Sequence, residues 1–211
     1  LEINMKKGIL IVVSGFSGAG KGTIIKELRK KYDYELSISA TTRNPRKGDV
    51  DGVDYFFKTR DEFEEMIKND KLIEWAEYVG NYYGTPREYV EQQLDAGKDV
   101  LLEIEMQGGM LVKKQYPDAM LLFITPPSAE ILKNRLTGRG TETEEEIERR
   151  MNRAAEESDY MEKYDYILVN DSLDETVEEL HHLIQSKHHK TVYCADLITT
   201  MKQQLNTLAG K

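Results

Sequence analysis

Apolar residues along this chain fall into two regimes. In some places they form short unbroken runs; elsewhere they recur every three or four positions. Residues 8–14 (GILIVVS), 99–106 (DVLLEIEM) and 119–125 (AMLLFIT) belong to the first regime and predict buried strands of a parallel sheet, as does the shorter run 166–169. Residues 34–40 alternate polar with apolar, and 34–40 and 72–79 predict two further strands. Between them lie amphipathic stretches. Residues 21–31 place Ile24, Ile25 and Leu28 on one face. Thr59-Arg60-Asp61-Glu62 is a capping box opening a helix with Phe63, Met66 and Ile67 inward. Thr85 as cap, Pro86 at the first helical position and Glu88 at the third predict a helix ending near Gly97. Ser128 opens another to about Leu136, residues 137–140 break it, and 143–161 and 172–185 follow.

Strands alternating with helices imply a three-layer α/β fold around a mostly parallel sheet, within one domain over residues 5–187. Two stretches do not fit that core. Residues 40–97 form an insertion with short strands of its own, and the charged, arginine-rich residues 135–153 form a second. The core is then 5–39, 98–134 and 154–187. Insertions of this kind usually carry function. The tail, 188–211, has a helical stretch at 193–205 but no assignable chemistry.

No run reaches the roughly 18 apolar residues of a membrane span. The first residues lack the charged, apolar and small-residue pattern of a secretory signal; Met5-Lys6-Lys7 reads as a natural start, and Leu1–Asn4 are set aside. A single cysteine, Cys194, cannot form an internal disulfide, so the expected location is cytoplasmic. The net charge of -9 argues against a nucleic-acid coat protein and requires any polyanion to be held by a local basic cluster. His181, His182, His188 and His189 read as a polar helix end.

The strongest local motif is Gly15-Phe16-Ser17-Gly18-Ala19-Gly20-Lys21-Gly22-Thr23, directly after a predicted strand and directly before a helix. That context identifies a P-loop. Its backbone N–H groups and the helix N-terminus cradle phosphate oxygens, and Lys21 reaches the β- and γ-phosphates. The general motif has Ser or Thr where Gly22 stands, and Thr23 comes one position later, which leaves the magnesium-binding hydroxyl open. A P-loop by itself does not separate a kinase from a GTPase or an ATPase. Arg43 and Arg46 follow on a proline-stiffened loop, with Tyr55 beyond. Arginine forks pair two phosphate oxygens at once, although this segment alone reads equally well as a solvated basic loop.

At this point the chain resembles a known family, the guanylate kinases. TTRNPRKGDVDGVDYFF (41–57) is similar to that family's acceptor-phosphate loop and LIEWAEYVGNYYGTP (72–86) to its guanine-binding segment. LLEIEMQG (101–108) resembles its central strand and turn, RLTGRGTETEEEIERRM (135–151) its lid and LVND (168–171) its adenine-side loop. The matches run in family order from about 7 to 185. The resemblance implies a P-loop kinase fold with an acceptor-binding insertion and a mobile lid. It implies transfer of the γ-phosphoryl group of ATP to GMP, and to dGMP, with Mg2+. Arg43, Arg46 and Tyr55 would hold the GMP phosphate, with Tyr83 nearby. Ser39, Glu74, Thr85 and Glu105 would read the guanine. Lys21, Arg135, Arg139 and Arg150 would cover the transferring group, with residues 15–23, Arg139 and Asn170 around ATP. Thr23 and Glu103 would serve the magnesium ion, directly or through water. Glu103 and Glu105 stand where the family often has aspartate, one methylene shorter.

The chemistry is consistent with that resemblance. Guanine presents two adjacent donors, N1–H and the 2-amino group, which one carboxylate accepts together. Adenine would strand the carboxylate instead. Two other classes compete. A protein-binding module of this fold should show a damaged P-loop or thinned lid arginines, and this chain has neither. A kinase for another acceptor is disfavoured by Glu74 and Glu105, and a GTPase by the lack of a separate base-recognition motif. No nucleic-acid or membrane partner is expected; a homo-oligomer stays open.

Overall fold

The structure is a computed structural model that describes residues 7–78, 80–138 and 143–210. Five strands form the central sheet: β1 (Leu10–Gly15), β2 (Glu35–Leu36), β7 (Val100–Glu103), β8 (Met120–Thr125) and β9 (Tyr166–Val169), in the order β2-β7-β1-β8-β9. Every pairing in it is parallel. β1 is buried at every position and β8 at all but its last, as the unbroken apolar runs demand. Around this sheet lie α1 (Lys21–Lys31), α3 (Arg87–Asp95), α4 (Met106–Gln115), α5 (Ala129–Thr137), α6 (Glu144–Ser158) and α7 (Leu173–His188). Phe123, fully buried, meets the rings of Phe16 and Tyr164 edge-on and ties the phosphate loop to the core.

A second sheet, β4-β3-β6-β5, comprises β3 (Ala40–Thr41), β4 (Phe56–Phe57), β5 (Leu72–Tyr78) and β6 (Asn81–Pro86). With α2 (Arg60–Lys68) it encloses a small core of Ala40, Phe63 and Leu72. The capping box at Thr59 forms as read: its hydroxyl accepts from the Glu62 amide, and the Glu62 carboxylate accepts from the Thr59 amide at 2.7 Å.

Local pattern and structure part at five places. The predicted strand 34–40 divides between the two sheets, β2 joining one and β3 the other. The strand expected over 99–106 stops at Glu103, and α4 begins at Met106. Gly108 and Gly109 depress the helix propensity of that segment, yet α4 packs against β1 and β5, so tertiary contact decides. The helix after β6 starts at Arg87 with Pro86 as its cap residue, and the Thr85 hydroxyl is used elsewhere. The histidines do more than end a helix. His181 stacks on Tyr32 with 3.6 Å between ring centroids, and His188 pairs with the buried Asp99 at 2.8 Å. In the tail, a short 3-10 helix (Thr191–Cys194) leads into α8 (Ala195–Leu208), two residues later than the pattern suggested.

Candidate active site

The order of the central sheet locates the site. From β1 the chain runs to β2 and β7 on one side and to β8 and β9 on the other, so β1 is the switch point. Ligands of open α/β sheets bind beyond the carboxyl ends of the strands at that point. Gly15 ends β1, Glu103 ends β7 and Asn170 follows β9, and the parallel pairing brings all three to one edge.

The phosphate loop is held from several sides. Gly20 caps α1 at φ 95°, and a Cβ there would lie 2.5 Å from the Asn170 amide nitrogen. Only glycine permits both the left-handed backbone and that approach. Asn170, buried, donates through Nδ2 to the Ala19 carbonyl at 2.7 Å. Its side chain is therefore engaged with the phosphate loop. Lys21 Nζ donates to the Gly15 carbonyl at 2.7 Å and the Phe16 carbonyl at 3.1 Å, which curls the ammonium back over the loop. Arg135 Nη2 donates to the Asn170 carbonyl and Arg150 Nη1 to Ser17 Oγ, each at 2.8 Å. Thus Arg150 reaches the phosphate loop directly and Arg135 reaches Asn170, the residue that clamps it; Arg139 lies outside the described residues.

Glu103 sits over the start of α1. Both its carboxylate oxygens are 3.7 Å from where a Cβ on Gly22 would stand. Glu103 is exposed at the end of β7; partial desolvation of its carboxylate pushes its pKa up, and the nearby Lys21 ammonium pulls it down. Thr23 is exposed on the first turn of α1. One carboxylate and one hydroxyl are hard oxygen donors suited to magnesium. Among the described residues no group of three His, Cys, Asp or Glu could hold a metal alone. The donor set therefore fits an ion that arrives with a triphosphate and keeps several waters.

The second cluster is built by the smaller sheet and α4. Glu74 on β5 is 8% exposed and Thr85 on β6 is 1% exposed. Thr85 Oγ1 donates to Glu74 Oε1 at 2.6 Å. Burial pushes the Glu74 carboxyl up, the Thr85 hydrogen bond holds it down, and the charge of Glu105 pushes it up again. Gly108 leaves room beside it, since a Cβ there would come within 3.0 Å of Glu74 Oε2. Glu105 stands just before α4 and accepts from Arg153 Nη2 at 2.8 Å.

At the other end of this cluster Arg43 lies over the Tyr55 ring, 5.2 Å from its centroid, and the Tyr55 and Tyr83 centroids are 6.1 Å apart. Arg43, Tyr55 and Tyr83 therefore meet. Arg46 is exposed on the same loop, and the half-buried Ser39 accepts through its carbonyl from the Phe56 amide.

Sequence reasoning passed over Asp49, Arg153 and Glu157. Asp49 Oδ2 accepts from Arg43 Nη2 and from the Arg46 amide, both at 2.8 Å, and so shapes the loop carrying the two arginines. Its position six residues after Arg43, beside Gly48, was the available signal. Arg153 donates through Nε to Glu157 at 2.9 Å. Burial pushes Glu157 up, Arg153 pulls it down, and Glu105 and Lys21 act on it as well. A continuous electrostatic neighbourhood thus runs from Lys21 through Glu157 and Glu105 to Glu74. By contrast, a cleft of about 510 Å³ along α7 is lined by Asp174, Glu175, Glu178 and Glu179, which would repel a phosphorylated ligand.

A buried strand, a glycine turn curling a lysine over its own carbonyls, and an arginine of α6 reaching that turn define a P-loop phosphotransferase. Comparison with known proteins narrows the class. The family model described as Guanylate kinase matches residues 7–187. A guanylate kinase of Bacillus anthracis is 56% identical over 185 residues, covering 87% of this chain and 90% of the relative. That of Bacillus subtilis (strain 168) is 52% identical over 187 residues, covering 88% and 92%. The crystal structure of guanylate kinase from Anaplasma phagocytophilum superposes with a TM-score of 0.70 at 33% identity, covering 88% of this chain and 89% of that one. This chain belongs to the guanylate kinase family. Among the described residues, no helix is long and apolar enough to cross a membrane.

Proposed function

We propose that this chain transfers the γ-phosphoryl group of ATP to GMP, and to dGMP, in the cytoplasm. The observation that carries the acceptor is the buried Glu74–Thr85 pair. A buried carboxylate held by one hydroxyl has acceptor capacity left over. Guanine's N1–H and 2-amino donors match it, while adenine would leave a desolvated charge unpaired. Glu105 reads the same edge, with Ser39 and Thr85 beside it. Arg43, Arg46, Tyr55 and Tyr83 hold the acceptor phosphate, and Asp49 orients Arg43.

The reaction needs no general base. The second pKa of a phosphate monoester is about 6, so the acceptor oxygen is largely ionised near neutrality. The remaining task is to align two polyanions and relieve their repulsion. Lys21, Arg135, Arg139 and Arg150 supply positive charge around the transferring group, and the backbone of residues 15–23 cradles the ATP phosphates. Asn170 holds the phosphate loop against β9 and faces the adenine side. Magnesium would be held by Glu103 and Thr23, and would supply positive charge that offsets the repulsion between the phosphates. The lid, 135–153, and the insertion, 40–97, would both close over the two nucleotides and exclude water.

The test is ADP release with ATP and magnesium against GMP, dGMP, AMP, UMP, CMP and no acceptor. Release confined to guanine nucleotides is expected. Equal release without acceptor would indicate an ATPase, and no release would favour a protein-binding module.

A further inference from the structure

Arg153 lies on α6 three residues after Arg150, close to one helical turn. Arg150 reaches Ser17 on the phosphate loop, while Arg153 points to the base-reading cluster. Its guanidinium spans two carboxylates: Nε donates to Glu157 Oε1 at 2.9 Å and Nη2 to Glu105 Oε2 at 2.8 Å. The two partners differ in burial. The Glu157 side chain is 16% exposed and that of Glu105 is 60% exposed. The half-buried carboxylate of Glu157 fixes one edge of the guanidinium, and the other edge then fixes the exposed carboxylate of Glu105.

Glu105 needs such support. It sits at the cap position of α4 but makes no side-chain capping bond, so its own helix does not set its rotamer. An exposed, unheld carboxylate can stay hydrated when the wrong base arrives, and the cost of a mismatch disappears. A carboxylate held in place loses that escape and discriminates. Arg153 takes only one site on Oε2. Each carboxylate oxygen accepts two hydrogen bonds, so Oε1 and the second site on Oε2 stay open to a base.

The geometry points to Arg153 as a positioning residue for base recognition: backed by Glu157, it holds the Glu105 carboxylate at the guanine edge and so sets the preference for a base bearing a 2-amino group. This rests on the proposed role of Glu105, and the test separates the two. The probes are GMP and inosine monophosphate, which lacks only the 2-amino group. The ratio of their kcat/KM values is measured for wild type, Arg153→Ala, Arg153→Lys, Glu105→Gln and the double variant Glu105→Gln/Arg153→Ala, with the GMP dissociation constant taken by calorimetry.

Arg153→Ala is expected to lower the GMP preference about tenfold, the scale of one charge-assisted hydrogen bond, mainly through KM for GMP. Arg153→Lys should fall between, because an ammonium supplies the charge without the fork. The double variant should match Glu105→Gln alone, because Arg153 acts through Glu105. A wild-type ratio in Arg153→Ala, with Glu105→Gln altered, would overturn this inference alone, as would strict additivity in the double variant. A wild-type ratio in Glu105→Gln would remove Glu105 from the base, and the inference with it.

Discussion

Replacing Thr85 by valine removes one hydroxyl from the buried pair at nearly constant volume. That hydroxyl donates to Glu74 Oε1 at 2.6 Å, and both residues are almost fully enclosed. Water has little access to take its place. Stranding a buried acceptor costs about 1–3 kcal/mol, more when it is charged. For a chain of this size each kcal/mol lowers Tm by roughly 2–4 °C. The effect should also depend on pH. Burial raises the Glu74 pKa above its ordinary 4.5, and the Thr85 hydrogen bond limits the rise. Between 4.5 and the folded-state value the native protein binds more protons than the unfolded chain. The stability contribution of Glu74 is therefore fully present below 4.5 and is lost as pH rises through the folded value. Thr85→Val raises that folded value further, so the stability gap between wild type and variant should widen toward neutral pH and narrow below 4.5. Urea unfolding of both proteins on either side of that window measures the gap. A gap independent of pH would refute the idea that Thr85 acts on the charge of Glu74.

Lys21→Ala should cut kcat by on the order of 10²–10³ with little change in Tm, because the ammonium works over loop carbonyls rather than in the core; steady-state kinetics at saturating GMP checks this, and near-normal turnover would remove Lys21 from phosphate binding. Glu74→Gln should erode the preference for GMP over AMP by about 10–100-fold, corresponding to roughly 1.5–3 kcal/mol for a hydrogen bond to a charged group; an acceptor screen with unchanged selectivity would exclude Glu74 from the base. Phe123→Ala should destabilise by about 3–5 kcal/mol, since the ring is fully buried between Phe16 and Tyr164. A urea midpoint shifted by less than a third of that would show that the cavity collapses.

The local code of the chain determined the elements whose physics is local. Residues 8–14 and 119–125 can only be buried on both faces, and all but Thr125 are. Thr59 and Glu62 satisfy each other's backbone within one turn, and that cap needs no partner from afar. The glycines and lysine of 15–21 specify a phosphate cradle through their own backbone, and the family strings carried the expected site residues by resemblance. What lay beyond local reach had a common cause: the deciding partner was distant in sequence. The helix at α4 forms against β1 and β5 despite two glycines. Thr85 leaves its capping position for a carboxylate eleven residues away on the neighbouring strand. Asn170 crosses from the end of β9 to clamp Ala19, and Arg153 reaches back forty-eight positions to Glu105. The sequence by itself determined that a strand–loop–helix phosphate cradle exists and that the chain is α/β. Only the tertiary structure decided which carboxylates are buried, which are held and by what, because desolvation and side-chain pairing belong to the packed neighbourhood and not to any residue alone.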